Sequence, residues 1–354
     1  MCLDHPRCPA VCSRLVSLSN VRTFITYNIL FRSLLDIVIL YLEMVLFLFV
    51  ALPFVFKYTP YIQRNMVFLP FVRWPGVVDF NDPEGSCDLK MTRNLYVQSE
   101  AGVSVGVWHS LPASYTASQE QQDHEELLKS DNKTVVLYLH GNSANRAGAH
   151  RVELYKVLTA HDCHVVCCDY RGYADSSPAL PNETGVVQDA RAVYDWLVTA
   201  CHGDTARIVV WGHSLGTGVA GHLVSLLSQE GNGPAGLVLE SPFNNIYDEV
   251  RNHPMCWVWS KMPWFDWFFT TSLADSDVAF VTDQRIAVID CPVLILHAED
   301  DAVVPFKLGR ALYESALQSR DESWGEVQFI DFSSELGYGH KYICRDPGLP
   351  DIFR

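Results

Sequence analysis

The chain has 354 residues, 26 of them basic and 41 acidic, for a formal net charge of −15. That balance excludes a nucleic-acid-binding surface, which needs a surplus of Lys and Arg to displace counterions from phosphate. With 49% hydrophobic and 19% charged residues it also excludes a disordered or low-complexity chain.

The length allows one large domain of roughly 250–300 residues with an appendage. Eleven cysteines without CxxC pairs argue against a disulfide scaffold and a zinc module. Cys167 and Cys168 lie in an apolar run and read as buried free thiols.

After a short N-terminal tail (1–33), Leu34 to Phe56 reads LLDIVILYLEMVLFLFVALPFVF, broken only by Asp36, Glu43 and a late Pro53. About 20 apolar residues at 1.5 Å each cross a hydrocarbon core of roughly 30 Å, so this stretch (34–56) is expected to be a membrane anchor. A buried core helix is the alternative, to which Glu43 lends support. Arg7, Arg14, Arg22 and Arg32 precede the span, and Lys57, Arg64 and Arg73 follow it. That near-even count barely sets orientation. Two sequons, Asn132-Lys133-Thr134 and Asn182-Glu183-Thr184, lie C-terminal to the span and would be glycosylated only on the lumenal side, where the body is expected with a short cytosolic N-terminus. The juxtamembrane segment 57–93 carries Tyr58, Tyr61, Phe68, Phe71 and Trp74, which read as an interfacial aromatic belt.

From residue 94 to 354 short apolar runs alternate with helical periodicity. Strands are predicted at Leu95–Val97, Val103–Trp108, Thr134–Leu139, His164–Cys168, Arg207–Trp211, Gly236–Leu239, Val293–Leu296 and Glu326–Phe332. Helices are predicted at Ala149–Ala160, Thr184–Ala200, Leu215–Gln229 and Pro305–Leu317. This alternation predicts an α/β fold with a mostly parallel sheet flanked by helices, and an antiparallel hairpin at one edge. Gln119–Lys133 is polar and reads as an exposed loop or helix.

The turn after the Arg207–Trp211 strand reads Gly212-His213-Ser214-Leu215-Gly216. Glycines are needed on both sides because a nucleophilic serine in such a motif sits on a strained strand-to-helix turn packed closely by backbone. Ser214 is the candidate nucleophile. A serine hydroxyl needs a base oriented by a carboxylate, and in this architecture acid and histidine follow the serine in that order. His297-Ala298-Glu299-Asp300-Asp301 ends one strand, and His340 lies on the Gly337-Tyr338-Gly339 loop after the last. Asp300 and Asp301 both compete for the acid, with Glu240 as a third alternative. An oxyanion hole would take one N–H from Leu215 and another from the His140-Gly141-Asn142-Ser143 loop, with Asn142 the chosen donor. His140 reads as a prop for that loop rather than a titrating group.

These residues resemble the α/β-hydrolase fold, and one membrane branch of it closely. HGN at His140 is followed by HRVELYKVL from His150, DYRGY from Asp169, and WGHSLGTGVA from Trp211. Further on come LESPF from Leu239, FDWFF from Phe265, LHAEDD from Leu296 and LGY from Leu336. Together, over roughly residues 61–350, they are similar to the lysophosphatidylserine lipase family, also called monoacylglycerol lipases or α/β-hydrolase domain-containing protein 12. The resemblance implies a single-pass endoplasmic-reticulum membrane glycoprotein with a lumenal active domain that hydrolyses lysophospholipids and monoacylglycerols without metal or cofactor. It maps the triad onto Ser214, Asp301 and His340; only Asp301 keeps the family's spacing to Val304-Pro305. The chain ends at Arg354, where the fold usually adds a closing helix, so a truncated or shortened form with exposed sheet surface is expected.

A long insertion (about 244–285) occupies the place of a lid and holds Trp257, Trp259, Trp264, Phe265, Trp267, Phe268 and Phe269, with Met255 and Met262. These read either as the lid's own core or as a slot for one acyl chain. Two other functions fit the same residues: a protein acyl-thioesterase with a cytosolic body, and a catalytically silent binding module.

Overall fold

The computed structural model describes residues 10–116 and 122–352. They fall into two units, one up to Val55 and one from Phe56 onward. The first is helical. A helix over Ala10–Leu46 continues through a wide turn at Phe47–Ala51 into Leu52–Lys57. Its stretch from Arg22 to Lys57 is long and apolar enough to cross a membrane. Leu30, Phe31, Ile37 and Leu40 along it are exposed, the opposite of what a core helix would show.

The second unit is built on an eight-stranded sheet: β1 (Thr92–Glu100), β2 (Val103–Ser110), β3 (Val135–Leu139), β4 (His164–Cys168), β5 (Ile208–His213), β6 (Gly236–Glu240), β7 (Val293–Ala298) and β8 (Val327–Phe332). The order is β1-β2-β4-β3-β5-β6-β7-β8. β2 pairs antiparallel with β1 and with β4, and the other pairs are parallel. The edge hairpin and the parallel body both follow the sequence reading. The reason is visible in the side chains. Val135, Leu137 and Leu139 enter one core, while Val136 and Tyr138 enter the other. Ile208 and Val210 face opposite to Trp211, and Leu237 and Leu239 opposite to Val238. A strand covered on both faces is a near-continuous apolar run, and each large apolar side chain contributes roughly 1.5–3 kcal/mol on burial. Cys167 and Cys168 are free thiols on opposite faces of β4.

The helices Glu183–Ala200, Leu215–Gln229 and Phe306–Ser319 supply one core, and Ala149–Ala160 supplies the other. Three expectations are corrected. Residues 124–130 form a helix whose His124, Leu127 and Leu128 are buried rather than exposed. Its end is sewn to the body through Asp131, which accepts from His164 Nε2 at 2.9 Å and from Arg207 at 2.5 Å. Phe68 does not belong to an outward belt. It ends a helix over Pro60–Phe68 and is fully buried, whereas Tyr58, Tyr61, Phe71 and Trp74 are exposed. The first predicted strand, Leu95–Val97, also stops short. β1 extends from Thr92 to Glu100, because its inward side packs against the Glu183–Ala200 helix.

Between β6 and β7 the chain forms a helix over Ile246–Asn252, several short turns, and a second short helix over Thr271–Asp275. Phe265, Phe268 and Phe269 of this insertion are buried, while Met255, Trp257 and Trp267 remain exposed. The insertion is held to the body by Glu183, whose carboxylate accepts the N–H groups of Ala279 and Phe280 at 2.7 Å each.

Candidate active site

Ser214 is placed by the turn between β5 and the Leu215–Gln229 helix, with φ 53° and ψ −121°. Side chains are excluded on both sides of it. A Cβ on Gly212 would lie 2.4 Å from the Gly216 carbonyl oxygen, and one on Gly216 would lie 2.0 Å from the Leu139 carbonyl oxygen. Close approach of backbone to backbone therefore demands glycine there. The Ser214 N–H is anchored on the Glu240 carbonyl at 3.0 Å.

The structure brings Ser214, His340 and Asp301 together from three loops. Ser214 Oγ lies 2.9 Å from His340 Nε2, and His340 Nδ1 lies 2.7 Å from Asp301 Oδ2. An ionised carboxylate only accepts, so Nδ1–H is the donor to Asp301. In the neutral ring Nε2 is then the acceptor for the Ser214 hydroxyl. Burial works to raise the Asp301 carboxyl, but hydrogen bonds from His297 and His340 prevail and hold it well below the usual range. Its other oxygen accepts the N–H groups of Val303 and Val304 at 2.9 Å each.

The neighbouring carboxylates have different partners. Asp300 accepts the Gly339 N–H at 3.0 and 3.1 Å, fixing the backbone one residue before His340. Glu240 accepts from Trp211 Nε1 at 2.9 Å instead of from His340. Burial pushes its carboxyl up to about 7. His213, unremarked in the sequence reading, donates from Nε2 to the His340 carbonyl at 2.8 Å and is held neutral by burial. Adjacency to a candidate nucleophile was the only signal available for it. His140 is buried beside Tyr170 and Tyr173, and donates from Nδ1 to Gly141 O at 2.6 Å. Burial lowers its pKa, as a prop requires.

Leu215 opens a helix, so its N–H has no intrahelical acceptor. The facing loop comes close, since a Cβ on Gly141 would lie 3.0 Å from Ser214 Cβ. Ser143 and Ala144 there have φ 64° and 59°, a left-handed conformation costing about 1–2 kcal/mol per non-glycine residue. Neither the Asn142 nor the Leu215 N–H meets a backbone acceptor among the described residues outside the helices and strands. Among the described residues no group of three or more His, Cys, Asp or Glu side chains is placed to hold a metal ion.

A family model for the alpha/beta hydrolase fold matches residues 134–245. Lysophosphatidylserine lipase ABHD12 of Danio rerio is 46% identical over 307 residues, 86% of this chain and 79% of that protein. The Mus musculus protein of the same name is 47% identical over 313 residues, 88% and 77% of the two chains. Protein ABHD12B of Homo sapiens is 34% identical over 288 residues, 80% and 77% respectively. Among solved structures, an alpha-beta hydrolase from Vibrio vulnificus superposes with a TM-score of 0.61 at 17% identity, covering 83% of this chain and 92% of that one. The Pyrococcus furiosus esterase Pf2001 gives 0.54 at 18%, covering 78% and 91%. The structural likenesses establish the α/β-hydrolase fold, and the sequence relatives establish the branch: the chain belongs to the lysophosphatidylserine lipase family of serine ester hydrolases.

Proposed function

We propose that the protein is a membrane-anchored lipase that cleaves the acyl ester of lysophospholipids, lysophosphatidylserine among them, and of monoacylglycerols. The observation that carries this reading is the unbroken hydrogen-bond chain from Ser214 through His340 to Asp301. Ser214 attacks the ester carbonyl and its proton passes to His340 Nε2. Asp301 holds the ring and stabilises the imidazolium, and the Leu215 and Asn142 amides receive the oxyanion. His340 returns the proton to the leaving alcohol, then activates the water that releases the fatty acid.

Residues 34–56 serve as the anchor, and residues 57–93 join it to a hydrolase domain over 94–354. The aromatic insertion acts as the lid, with its exposed Trp257, Trp267 and Met255 on the lipid side. Trp267→Ala is expected to slow long-chain substrates more than short soluble esters; equal losses would reject a role in chain binding. We place the domain in the endoplasmic-reticulum lumen. Asn132 is exposed and open to a glycan, while the Asn182 side chain is engaged by Asp277. A mobility shift on endoglycosidase treatment that disappears in Asn132→Gln would support this topology, and a cytosolic body would favour the thioesterase alternative.

The decisive experiment is transfer of a fluorophosphonate label to detergent-solubilised protein and to Ser214→Ala. Labelling lost only in the variant supports the nucleophile and opens a substrate screen beginning with lysophosphatidylserine. An unlabelled but folded wild type would point to a silent binding module.

A further inference from the structure

The segment that follows the apolar helix is bonded, largely through its own backbone, to the loop beside the serine. The Ser143 N–H donates to the Phe68 carbonyl at 3.1 Å and the Ala144 N–H to the Val72 carbonyl at 2.8 Å. The Asn142 side chain donates to the Val67 carbonyl, and that of Asn145 to the Pro75 carbonyl, at 3.2 Å each. Four successive loop residues are thus tied to one stretch, 67–75. That stretch is itself anchored. The Phe68 ring is fully buried against Phe280, with centroids 6.1 Å apart. The Phe68 carbonyl also accepts the Tyr173 hydroxyl, and Arg64 Nε donates to the Ser276 carbonyl at 2.8 Å.

The loop needs this support. Consecutive left-handed residues without glycine persist only when their surroundings over-determine them. At Ser143 and Ala144 the N–H groups are held by the carbonyls of Phe68 and Val72, while the buried Arg151 guanidinium donates to the Ser143 carbonyl at 2.9 Å and the Asn145 carbonyl at 2.6 Å. Those two N–H groups are turned to the strap, whereas the preceding Asn142 N–H, next to the Gly141 that approaches Ser214, meets no backbone acceptor among the described residues outside the helices and strands.

We propose that residues 60–75 are the positioning element of the oxyanion hole: the Phe68 and Val72 carbonyls hold the 142–144 turn that aims the Asn142 amide at the substrate carbonyl. The inference rests on the triad and oxyanion roles proposed above. It gives the strap two sides: Tyr61, Phe71 and Trp74 outward, and Phe68 inward as the lock on the loop.

The test uses the full chain in detergent micelles, titrated with a long-chain trifluoromethyl ketone and with a chain-matched, unreactive ether lipid. Ser214 Oγ bonds to the ketone carbon, its proton passes to His340, and the carbonyl oxygen becomes an oxyanion seated in the hole. The ether lipid forms no anion. Phe68→Ala is expected to weaken ketone inhibition about tenfold or more, towards the ~10²–10³ of a wholly lost oxyanion donor, with ether affinity within about twofold. Phe68→Leu should fall between. Arg64→Ala, a half-buried change outside the core, should move the same ratio in the same direction, and it decides the question if Phe68→Ala does not fold. Equal ketone inhibition of wild type and folded variants refutes the strap's role and leaves the triad standing. Parallel losses of ketone and ether affinity refute it as a general packing defect. A wild type that the ketone does not inhibit overturns the hydrolase reading, and this inference with it.

Discussion

Replacing Asp300 separates two adjacent carboxylates that residue type and strand position leave equal and that only the family spacing ranks. Asp300 accepts the Gly339 N–H at 3.0 and 3.1 Å, whereas Asp301 accepts His340 Nδ1 at 2.7 Å. Asp300→Ala removes a charge-assisted acceptor worth about 1.5–3 kcal/mol, which at 1.36 kcal/mol per decade is roughly 10- to 100-fold in rate if all of it holds His340 in place. Two anchors remain: Asp301 on the ring and His213 on the His340 carbonyl at 2.8 Å. Asp300 is also only half-buried. The loss should therefore sit near the low end, about tenfold in kcat with KM little changed. Asp301→Asn strips the group that fixes the tautomer and should cost about 10³–10⁴-fold. The assay is steady-state hydrolysis of a soluble ester, with fluorophosphonate labelling rates as a second readout. Equal losses for the two variants, or a larger loss for Asp300, would refute the assignment of ring partner and loop anchor.

Other consequences follow from the packing. Gly216→Ala forces a Cβ to within 2.0 Å of the Leu139 carbonyl oxygen, so labelling of Ser214 should fall by more than about tenfold as the turn opens; wild-type labelling would show that this backbone yields freely. Arg146 is fully buried between Asp169 and Asp175, with Nη1 at 2.6 Å from each. Arg146→Met leaves the buried Asp169 carboxylate without its ion partner and should cost about 3–5 kcal/mol in denaturant melts. The third consequence concerns pH. Glu249 in the insertion is buried near Asp301, and burial raises its carboxyl from 4.5 to about 8. The folded state then binds more protons than the unfolded between those values. Stability should be fully present below 4.5 and fall by up to about 1.4 kcal/mol per pH unit until it levels off above 8. Glu249→Gln should flatten that slope; an unchanged pH profile would show that Glu249 ionises in place without penalty.

Much of this protein follows from the sequence alone. The strands β3 to β7 are legible because a strand buried on both faces has no polar position to spare. Val135–Leu139 and Val293–Leu296 announce themselves as unbroken apolar runs. Helices such as Phe306–Ser319 show their periodicity because one side stays wet while Leu308, Leu312 and Ala316 turn inward. The serine turn is legible because its two glycines answer a local steric demand, and the order of serine, acid and histidine follows from strand order.

Tertiary structure decided what depends on contacts between segments far apart in the chain. Whether Asp300 or Asp301 of the β7 loop, or Glu240 at the end of β6, meets His340 is settled by which carboxylate the folded sheet presents to that distant loop. Composition carries no information about that. The inward turn of Phe68 was hidden for the same reason: among neighbouring aromatics its partner is Phe280, on the far side of the sequence. The polar stretch before β3 appeared solvent-exposed because His124, Leu127 and Leu128 are too few to show a periodicity, yet they pack once Asp131 is held by His164 and Arg207. Local sterics and solvent exposure repeat along the chain and can be read from it. Long-range hydrogen bonds are chosen only when the sheet has brought the loops together.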